Sequence, residues 1–468
     1  MKRIKTETIA EFSGGQLTGP GGIYAQGVET DSRKAGEGSL FIGLKGEKAD
    51  GNAYAQGAYD RGCRIFMLSS KEAAEGLTSA YPDAAVILVE DTLKGMQLLA
   101  KNMIEEADIY RIAITGSTGK TSTKEILRCI MESRYSLICT RGNYNNHIGV
   151  PLTAFQMEND TEMGIFEMGM NHKGEIETLA DIVRPETAII TNVGSSHIGN
   201  LGSRENILAA KLEITSFMDS EKYLLVYNAD NDMLQELNGE DTDYEKIRVG
   251  EKGGKKGFTL SDIQDLSLGG VDFTISPYKG DPVRCHLPVP GTHNVWNAGL
   301  AMVCALHYGI SLRESAAALK NLKLTGSRLD VKESPAGIRV INDAYNASPD
   351  SVKAGLDFLA GLEAQRRVAV LGDMLELGDA TEESHELTGR YAASKGIDLL
   401  ITVGPHSRRT GTAAAEILGS GRVVSFENAS EFNEAALGLL KKGDTVLVKG
   451  SHSMGLEKSA EFILNMGV

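Results

Sequence analysis

The chain has 468 residues, 41% of them apolar, and a formal net charge of −15. At roughly 150 residues per domain this length predicts about three domains, and the acidic balance with a single Trp argues against a nucleic-acid-binding surface. No apolar stretch approaches the roughly 20 residues of a membrane span, no secretory signal is visible, and five cysteines are scattered without paired spacing. We therefore expect a cytoplasmic protein without membrane insertion, zinc or disulfides. A monomer is expected as well, although none of these features bears on the oligomeric state.

The first segment, residues 1–105, has the pattern of a small α/β domain. Short apolar runs predict strands at 39–44, 65–68 and 86–89. Helical patterns separate them, at 52–61 and 92–106.

The second segment, residues 106–324, alternates buried-strand patterns with helical ones. Strand patterns lie at 111–115, 164–168, 187–191 and 223–227. This alternation predicts a mostly parallel sheet covered on both faces. A helical pattern covers 120–133, a β-rich elaboration covers 245–290, and a further helix is predicted over 294–308.

The turn after the first of these strands is the strongest functional signal. It contains Gly116, Ser117, Thr118, Gly119, Lys120 and Thr121. Glycines let backbone N–H groups approach phosphate oxygens. The N-terminus of the following helix adds roughly half a positive charge. Lys120 adds a mobile full charge, and the Thr121 hydroxyl can ligate Mg²⁺. The standard pattern would have its first glycine where Ile114 stands, so an ordinary glycine-rich turn is the alternative to an ATP site.

Two polar residues follow the next strands of this segment. Glu167 ends an apolar run, where a carboxylate is costly to bury unless it is paired or metal-bound. His197 lies in the loop after the following strand. Because sites gather at the carboxyl ends of parallel strands, we expect Glu167 to face the phosphate loop and His197 to lie at the same edge of the sheet. The alternatives are a salt-bridged carboxylate and a structural histidine.

Two later helical patterns carry further candidates. One starts near Ser203 and has Lys211 about two turns in, where the pattern alone indicates a solvated lysine. The other follows His293 and places Asn294 and Asn297 on one helix face. Such amides can read an adenine edge, and helix capping is the alternative.

The third segment, residues 325–468, is predicted to be a Rossmann-like, doubly wound domain. Its strand patterns lie at 367–371, 399–403, 422–426 and 445–448, and its helical patterns at 380–395, 407–417 and 429–442. The Gly-x-Gly-x-x-Gly fingerprint is missing, so NAD is not predicted.

In this order the elements resemble the Mur ligase family, the ATP-dependent amide ligases of peptidoglycan precursor synthesis. The family's phosphate loop is similar to Thr-Gly-x-x-Gly-Lys-Thr, which accounts for the unusual spacing. The resemblance implies four metal ligands, which are Thr121, Glu167, His197 and a carbamylated Lys211. The implied nucleotide contacts are the loop, His293, Asn294, Asn297, Arg328 and Asp343. The implied catalytic residues are Lys120, His197, Lys211 and Arg328.

Several strings indicate one activity within this family. Residues 343–349, 372–378 and 448–451 resemble members that add a D-alanyl-D-alanine dipeptide, and residues 30–33 with 44–46 resemble a uridine-nucleotide-binding site. The implied substrate contacts are Asp31, Ser32, Arg33, Lys45, Asn146, Asn346 and Lys449.

The implied reaction uses ATP and two Mg²⁺ ions to join D-Ala-D-Ala to a UDP-N-acetylmuramoyl tripeptide through an acyl phosphate. The first domain would hold the UDP end, the second ATP, and the third the dipeptide. Closure of the third domain would bring Arg328 and Asp343 to the nucleotide. Alternatives are a sister ligase that adds a diamino acid, a folylpolyglutamate-synthetase-like enzyme, and a nucleotide-switch ATPase. An uncarbamylated Lys211 donating charge to the acyl phosphate is an alternative role for that residue.

Overall fold

The computed structural model describes residues 1–237, 241–322 and 329–467. These residues form three large sheets with helices packed on them, and a two-stranded ribbon. The predicted α/β class is therefore confirmed. The segment borders after 105 and 324 stay predictions, and the second border falls outside the described residues.

The N-terminal sheet is built on short, buried apolar strands. Its elements are β1 (Ile4–Lys5), α1 (Thr6–Ser13), β2 (Gln16–Thr18), β3 (Tyr24–Ala25), β4 (Gly27–Glu29), β5 (Ser39–Ile42), α2 (Ala55–Tyr59), β6 (Ile65–Leu68), α3 (Lys71–Ala80), β7 (Ala85–Leu88) and α4 (Thr92–Ala107). The strand order is β2-β7-β6-β5-β4, and β1 pairs with β3. Helix α4 begins at Thr92 because the Asp91 carboxylate accepts hydrogen bonds from the next free backbone N–H groups. Helix α2 is shorter than predicted, since residues 51–54 form a 3-10 turn.

The central sheet carries the phosphate loop. Its elements are β8 (Tyr110–Thr115), α5 (Lys120–Met131), β9 (Leu137–Cys139), α6 (Gly149–Ala154), β10 (Met163–Glu167), α7 (Glu175–Val183), β11 (Thr187–Ile190), α8 (Ile198–Leu201), α9 (Arg204–Leu212), β12 (Leu224–Asn228), β13 (Glu245–Gly250), β14 (Phe258–Asp265), β15 (Val271–Pro277), β16 (Val283–Leu287), α10 (Asn294–His307) and α11 (Leu312–Ala318). The order is β16-β15-β14-β13-β12-β11-β8-β10-β9. Strands β9 to β14 are parallel and the last two pairings are antiparallel, so the predicted β-rich elaboration extends this sheet.

The C-terminal sheet is parallel except at one edge. Its elements are β17 (Asp330–Glu333), β18 (Arg339–Asn342), α12 (Pro349–Gly361), β19 (Arg366–Gly372), α13 (Thr381–Ser394), β20 (Leu399–Val403), α14 (Ser407–Leu418), β21 (Val423–Phe426), α15 (Ala429–Leu439), β22 (Asp444–Lys449) and α16 (Leu456–Leu464). The order is β17-β18-β22-β19-β20-β21, and only β17 runs antiparallel. Helix α15 ends three residues earlier than predicted.

The N-terminal and central sheets share an apolar core cluster, whereas the C-terminal sheet has clusters of its own. One continuous cluster joins the N-terminal and central sheets, since it contains Met67 and Met103 together with Ile182. The two clusters of the C-terminal sheet are built from residues 329–467. The central sheet adds only a partly buried Ile198 to one of them.

No helix in the described part of the chain is long and apolar enough to cross a bilayer.

Candidate active site

The phosphate loop connects β8 to α5, as predicted, and its glycines are required by close contacts. A Cβ atom on Gly116 would lie 1.9 Å from Thr191 Oγ1, and one on Gly119 would lie 2.5 Å from Asn297 Oδ1. Gly119 also has a φ of 81°, a left-handed value that favours glycine at the start of α5. The Lys120 ammonium donates to the Gly116 carbonyl at 2.7 Å, so its charge lies over the loop.

Asn192, immediately after β11, holds this loop from the neighbouring strand. Thr118 N donates to Asn192 Oδ1 at 2.9 Å, and Asn192 Nδ2 donates to Thr118 Oγ1 at 2.6 Å. Ser117 N donates to the Asn192 carbonyl at 3.0 Å. We did not predict this residue from the sequence, although its position at the carboxyl end of a parallel strand is a signal for a site residue.

Glu167 faces the phosphate loop, as predicted. Its side chain is buried, with 2% of the residue exposed. Thr121 Oγ1 donates to Glu167 Oε2 at 2.5 Å, and Asn145 Nδ2 donates to Glu167 Oε1 at 2.9 Å. Within the described residues no group of three or more His, Cys, Asp or Glu side chains forms a ready metal cluster. A hydroxyl and a carboxylate oxygen beside a phosphate loop nevertheless suit Mg²⁺, whose remaining ligands would come from phosphate and water.

His197 and Glu376 meet across the boundary between the central and C-terminal sheets. His197 has a φ of 65° at the start of α8, and its Nδ1 lies 2.7 Å from Glu376 Oε2. The contact is an ion pair when the imidazole is protonated, and the two atoms are not aligned as a regular hydrogen bond. This contact with His197 holds the pKa of the Glu376 carboxyl below its usual value, against the opposing effect of burial. A backbone hydrogen bond joins the same two segments, since Gly199 N donates to the Glu376 carbonyl at 3.2 Å.

Lys211 is buried rather than solvated as its helical pattern indicated. It lies near the end of α9 and is 1% exposed. Burial, and then the Lys120 charge, hold the pKa of the Lys211 amine well below its usual value. No carboxylate of the described residues forms an ion pair with it. A neutral amine at this position is chemically competent to react with CO₂.

This burial predicts a pH-dependent stability for a Lys211→Met variant in bicarbonate-free buffer. Between the lowered folded pKa and the ordinary 10.5, the unfolded parent binds a proton that the folded parent does not. The free energy of unfolding of the parent therefore rises with pH across that window. We expect the variant to be more stable than the parent at about pH 7, with a smaller difference at about pH 9, in urea unfolding. Lys94→Met, on the exposed face of α4, is the control and should show no such trend. A difference independent of pH would contradict the burial of a neutral amine.

The predicted adenine-side residues lie at the start of α10. Asn297 Nδ2 donates to Asn294 Oδ1 at 3.0 Å, and Asn294 Nδ2 donates to the Pro290 carbonyl at 2.8 Å. Thr123 of the phosphate helix donates to Asn297 Oδ1 at 3.2 Å, which ties α10 to α5. His293, immediately before α10, is exposed. The two amides share one face, as expected, and in this structure they bond to each other and to the backbone.

Asp343 and Lys449 form the C-terminal side of the site. Lys449 ends β22, is 3% exposed, and its ammonium lies 2.6 Å from Asp343 Oδ2. It also donates to the Asn346 carbonyl at 2.9 Å. Leu329 N donates to Asp343 Oδ1 at 3.3 Å. The two residues predicted separately as nucleotide and substrate contacts are therefore one ion pair.

A cleft of about 930 Å³ separates the central and C-terminal sheets and brings most of the predicted residues together. Those on its walls are Ser117, Thr118, Gly119, Lys120, Thr121, Asn146, Glu167, His197, His293, Asn294, Asn297, Asp343, Asn346 and Lys449. Gly116 and Lys211 are not on its walls. Asn146 uses its Oδ1 to accept from Ile148 N and Gly149 N at 3.1 and 2.9 Å, which caps α6.

The predicted uridine-site residues lie apart from this cleft, on the N-terminal sheet. Arg33 donates to both carboxylate oxygens of Asp31, at 2.9 Å from Nε and 2.8 Å from Nη2. The Arg33 guanidinium lowers the pKa of Asp31 to about 2. Ser32 is half-buried and Lys45 is exposed. Arg328, predicted to meet the phosphates, lies outside the described residues.

Three family models match the chain in the order of its sheets. "Mur ligase family, catalytic domain" matches residues 25–103, "Mur ligase middle domain" matches 114–305, and "Mur ligase, glutamate ligase domain" matches 327–452. A protein of Bacillus subtilis named UDP-N-acetylmuramoyl-tripeptide--D-alanyl-D-alanine ligase is 37% identical over 98% of both chains.

The chain belongs to the Mur ligase family.

Solved structures of this family have the same fold. Crystal structure I of MurF from Acinetobacter baumannii superposes with a TM-score of 0.88, at 27% identity over 99% of both chains. The MurF ligase of Thermotoga maritima in complex with ADP has a TM-score of 0.79 at 24% identity, covering 93% of this chain and 96% of that one, which shows the likeness of the fold. As a Mur ligase, the chain is an ATP-dependent ligase.

Proposed function

We propose that this enzyme joins D-alanyl-D-alanine to the terminal carboxylate of UDP-N-acetylmuramoyl-tripeptide, with ATP converted to ADP and phosphate, in peptidoglycan synthesis. The observation that carries this proposal is the single cleft in which the phosphate loop and Glu167 face the Asp343–Lys449 pair. The 37% identity to the Bacillus subtilis ligase of that name, over 98% of both chains, supports these substrates.

The reaction has to bring two anions together before any bond forms. Two unit charges about 4 Å apart repel by about 4 kcal/mol at an effective dielectric near 20, and a triphosphate carries several. Lys120 and the positive end of α5 offset this repulsion at the phosphates. The peptide carboxylate then attacks the γ-phosphorus, the bond to ADP breaks, and an acyl phosphate forms. The dipeptide amine attacks the acyl carbon, phosphate leaves, and the amine loses a proton to give the amide.

Thr121 and Glu167 are proposed to hold one Mg²⁺, and His197 and Lys211 a second. When bound, such ions neutralise charge on the transferring phosphoryl group. The hydrogen bond from Asn145 fixes one Glu167 oxygen, so the other remains oriented toward the loop. The buried, neutral Lys211 amine supports carbamylation, which would convert it into an anionic oxygen ligand.

The remaining predicted residues are assigned by position. His293, Asn294 and Asn297 would face the adenine, Asp343 the ribose, and Arg328 the phosphates. Asp31, Ser32, Arg33 and Lys45 would bind the uridine end. Asn146, Asn346 and Lys449 would contact the peptide substrates. The enzyme is proposed to act as a monomer of three domains, residues 1–105, 106–324 and 325–468.

A phosphate-release assay with each substrate omitted in turn tests the proposed function. We expect release to require both UDP-N-acetylmuramoyl-tripeptide and D-Ala-D-Ala, because the acyl phosphate is consumed only by the dipeptide amine. Replacing D-Ala-D-Ala by meso-diaminopimelate or L-lysine should abolish product formation, as followed by mass spectrometry. Product with a diamino acid would identify a sister ligase, and hydrolysis independent of the UDP-peptide would identify a nucleotide-switch ATPase.

A further inference from the structure

Lys124 is a buried lysine that has no role in the proposed reaction. It lies in the second turn of the phosphate helix α5, and its side chain is fully buried. Its ammonium donates to the Thr140 carbonyl at 2.5 Å and lies 2.9 Å from Glu125 Oε1. Burial raises the pKa of Glu125, but the Lys124 and Arg128 charges outweigh it and leave that pKa below its usual value. An ammonium this deeply buried is costly unless it is paired and hydrogen-bonded, and here the Glu125 carboxylate and the Thr140 carbonyl supply those partners.

Thr140 uses three polar groups to join three elements. It is 1% exposed and follows β9 directly. Its N donates to the Ile165 carbonyl at 3.0 Å, which continues the ladder to β10. Its carbonyl accepts from Lys124, and its Oγ1 accepts from Glu167 N at 3.0 Å. The Thr140 hydroxyl therefore takes the place of the strand partner that Glu167 lacks beyond the end of β9.

The phosphate helix consequently holds Glu167 at two points. Thr121 bonds the Glu167 carboxylate, and Lys124 bonds the residue that fixes the Glu167 backbone. Thr121 and Lys124 are three residues apart, so they project from neighbouring positions on one side of α5. A carboxylate held through both its side chain and its main chain keeps a fixed distance from the loop that starts the same helix.

We propose that Lys124 and Thr140 are positioning residues that set Glu167 for Mg²⁺ bound with the nucleotide. Neither residue lines the cleft, so neither touches a ligand bound there, and the hydrogen bond from Glu167 N to Thr140 connects them to the site. This inference rests on the proposed function, since it takes Glu167 as a metal ligand. It predicts that losing the Thr140 hydroxyl weakens the contribution of Mg²⁺ to nucleotide binding and leaves metal-free binding unchanged.

The test is ADP binding by calorimetry to the full chain, with Mg²⁺ and with EDTA. For Thr140→Val, which keeps the side-chain volume, we expect the Mg²⁺-dependent gain in ADP affinity to fall about 10-fold or more. Thr140→Ser keeps the hydroxyl and should restore the gain. Thr153→Val is the matched control, because Thr153 is a buried threonine of α6 whose hydroxyl bonds only its own helix at Gly149.

Lys124→Met is a second variant, which removes the hydrogen bond to the Thr140 carbonyl and leaves the Thr140 hydroxyl in place. If it folds, it should lower the same Mg²⁺-dependent gain; if it does not fold, the Thr140 pair still decides the matter. A Thr140→Val protein that melts at a lower temperature but keeps the parental gain would overturn the inference. A parent that binds ADP equally with Mg²⁺ and EDTA would instead overturn the metal role of Glu167 on which this inference rests, whereas failure of the proposed function would appear in the phosphate-release assay.

Discussion

A Lys120→Ala variant is expected to lose ligase activity by about a thousandfold in kcat/KM, while remaining folded. The Lys120 ammonium bonds the Gly116 carbonyl and lies where the phosphates must sit, so its removal leaves the loop with backbone dipoles alone. Because charge on the transferring phosphoryl group is stabilised there, the loss should appear mainly in kcat. Coupled phosphate release with both substrates measures it.

Two comparisons make the Lys120 result interpretable. Lys94→Ala removes an exposed lysine of α4 and should leave turnover unchanged. Circular dichroism and a melting curve establish that the Lys120 variant is folded. A folded Lys120→Ala enzyme with parental turnover would contradict the electrostatic basis of the proposed reaction.

Glu167→Gln should reduce turnover by about a hundredfold and raise the Mg²⁺ concentration needed for half-maximal rate. The amide keeps the shape of the side chain but removes the negative charge. It also presents a donor group to either Thr121 or Asn145, both of which donate to Glu167 now. The variant therefore loses the proposed metal ligand and has a poorer hydrogen-bond fit. Only the loss of the ligand should change how the rate depends on the Mg²⁺ concentration, so that dependence separates the two effects.

Glu186→Gln is the matched control for this experiment. Glu186 precedes β11 at the amino edge of the same sheet and forms an ion pair with Arg111 at 2.7 Å. Its substitution should cost some stability and leave the Mg²⁺ dependence unchanged. Equal shifts of that dependence in both variants would show a general effect on the sheet rather than a role for Glu167.

The sequence predicted those parts of the site that are determined locally. The strand, glycine turn and helix of the phosphate loop are contiguous, and the apolar run before Glu167 placed it at the correct edge. The Asn294 and Asn297 pair followed from helical spacing. Lys211 was different, because the pattern around it indicates a surface helix, and only the family resemblance marked it as a site residue. Its burial arises from packing that spacing cannot reveal.

The residues we missed make contacts between distant parts of the chain. Asn192 and Thr118 are separated by 74 positions. Glu376 reaches His197 from another sheet. The sequence analysis selected Asn146 as a substrate contact and passed over its neighbour Asn145. The loop conformation separates the two, since Asn145 bonds Glu167 while Asn146 caps α6.

The shared core of the first two sheets has a thermodynamic consequence. Because one apolar cluster spans them, they should lose structure together as a single cooperative body. The C-terminal sheet has two separate apolar clusters, so we expect it to unfold as a second cooperative unit. A nucleotide that contacts both units across the cleft would couple their unfolding. Bound ATP would then stabilise the contact between the two units as well as supply the phosphoryl group. One melting temperature measured on the free enzyme is therefore not a property of the whole chain.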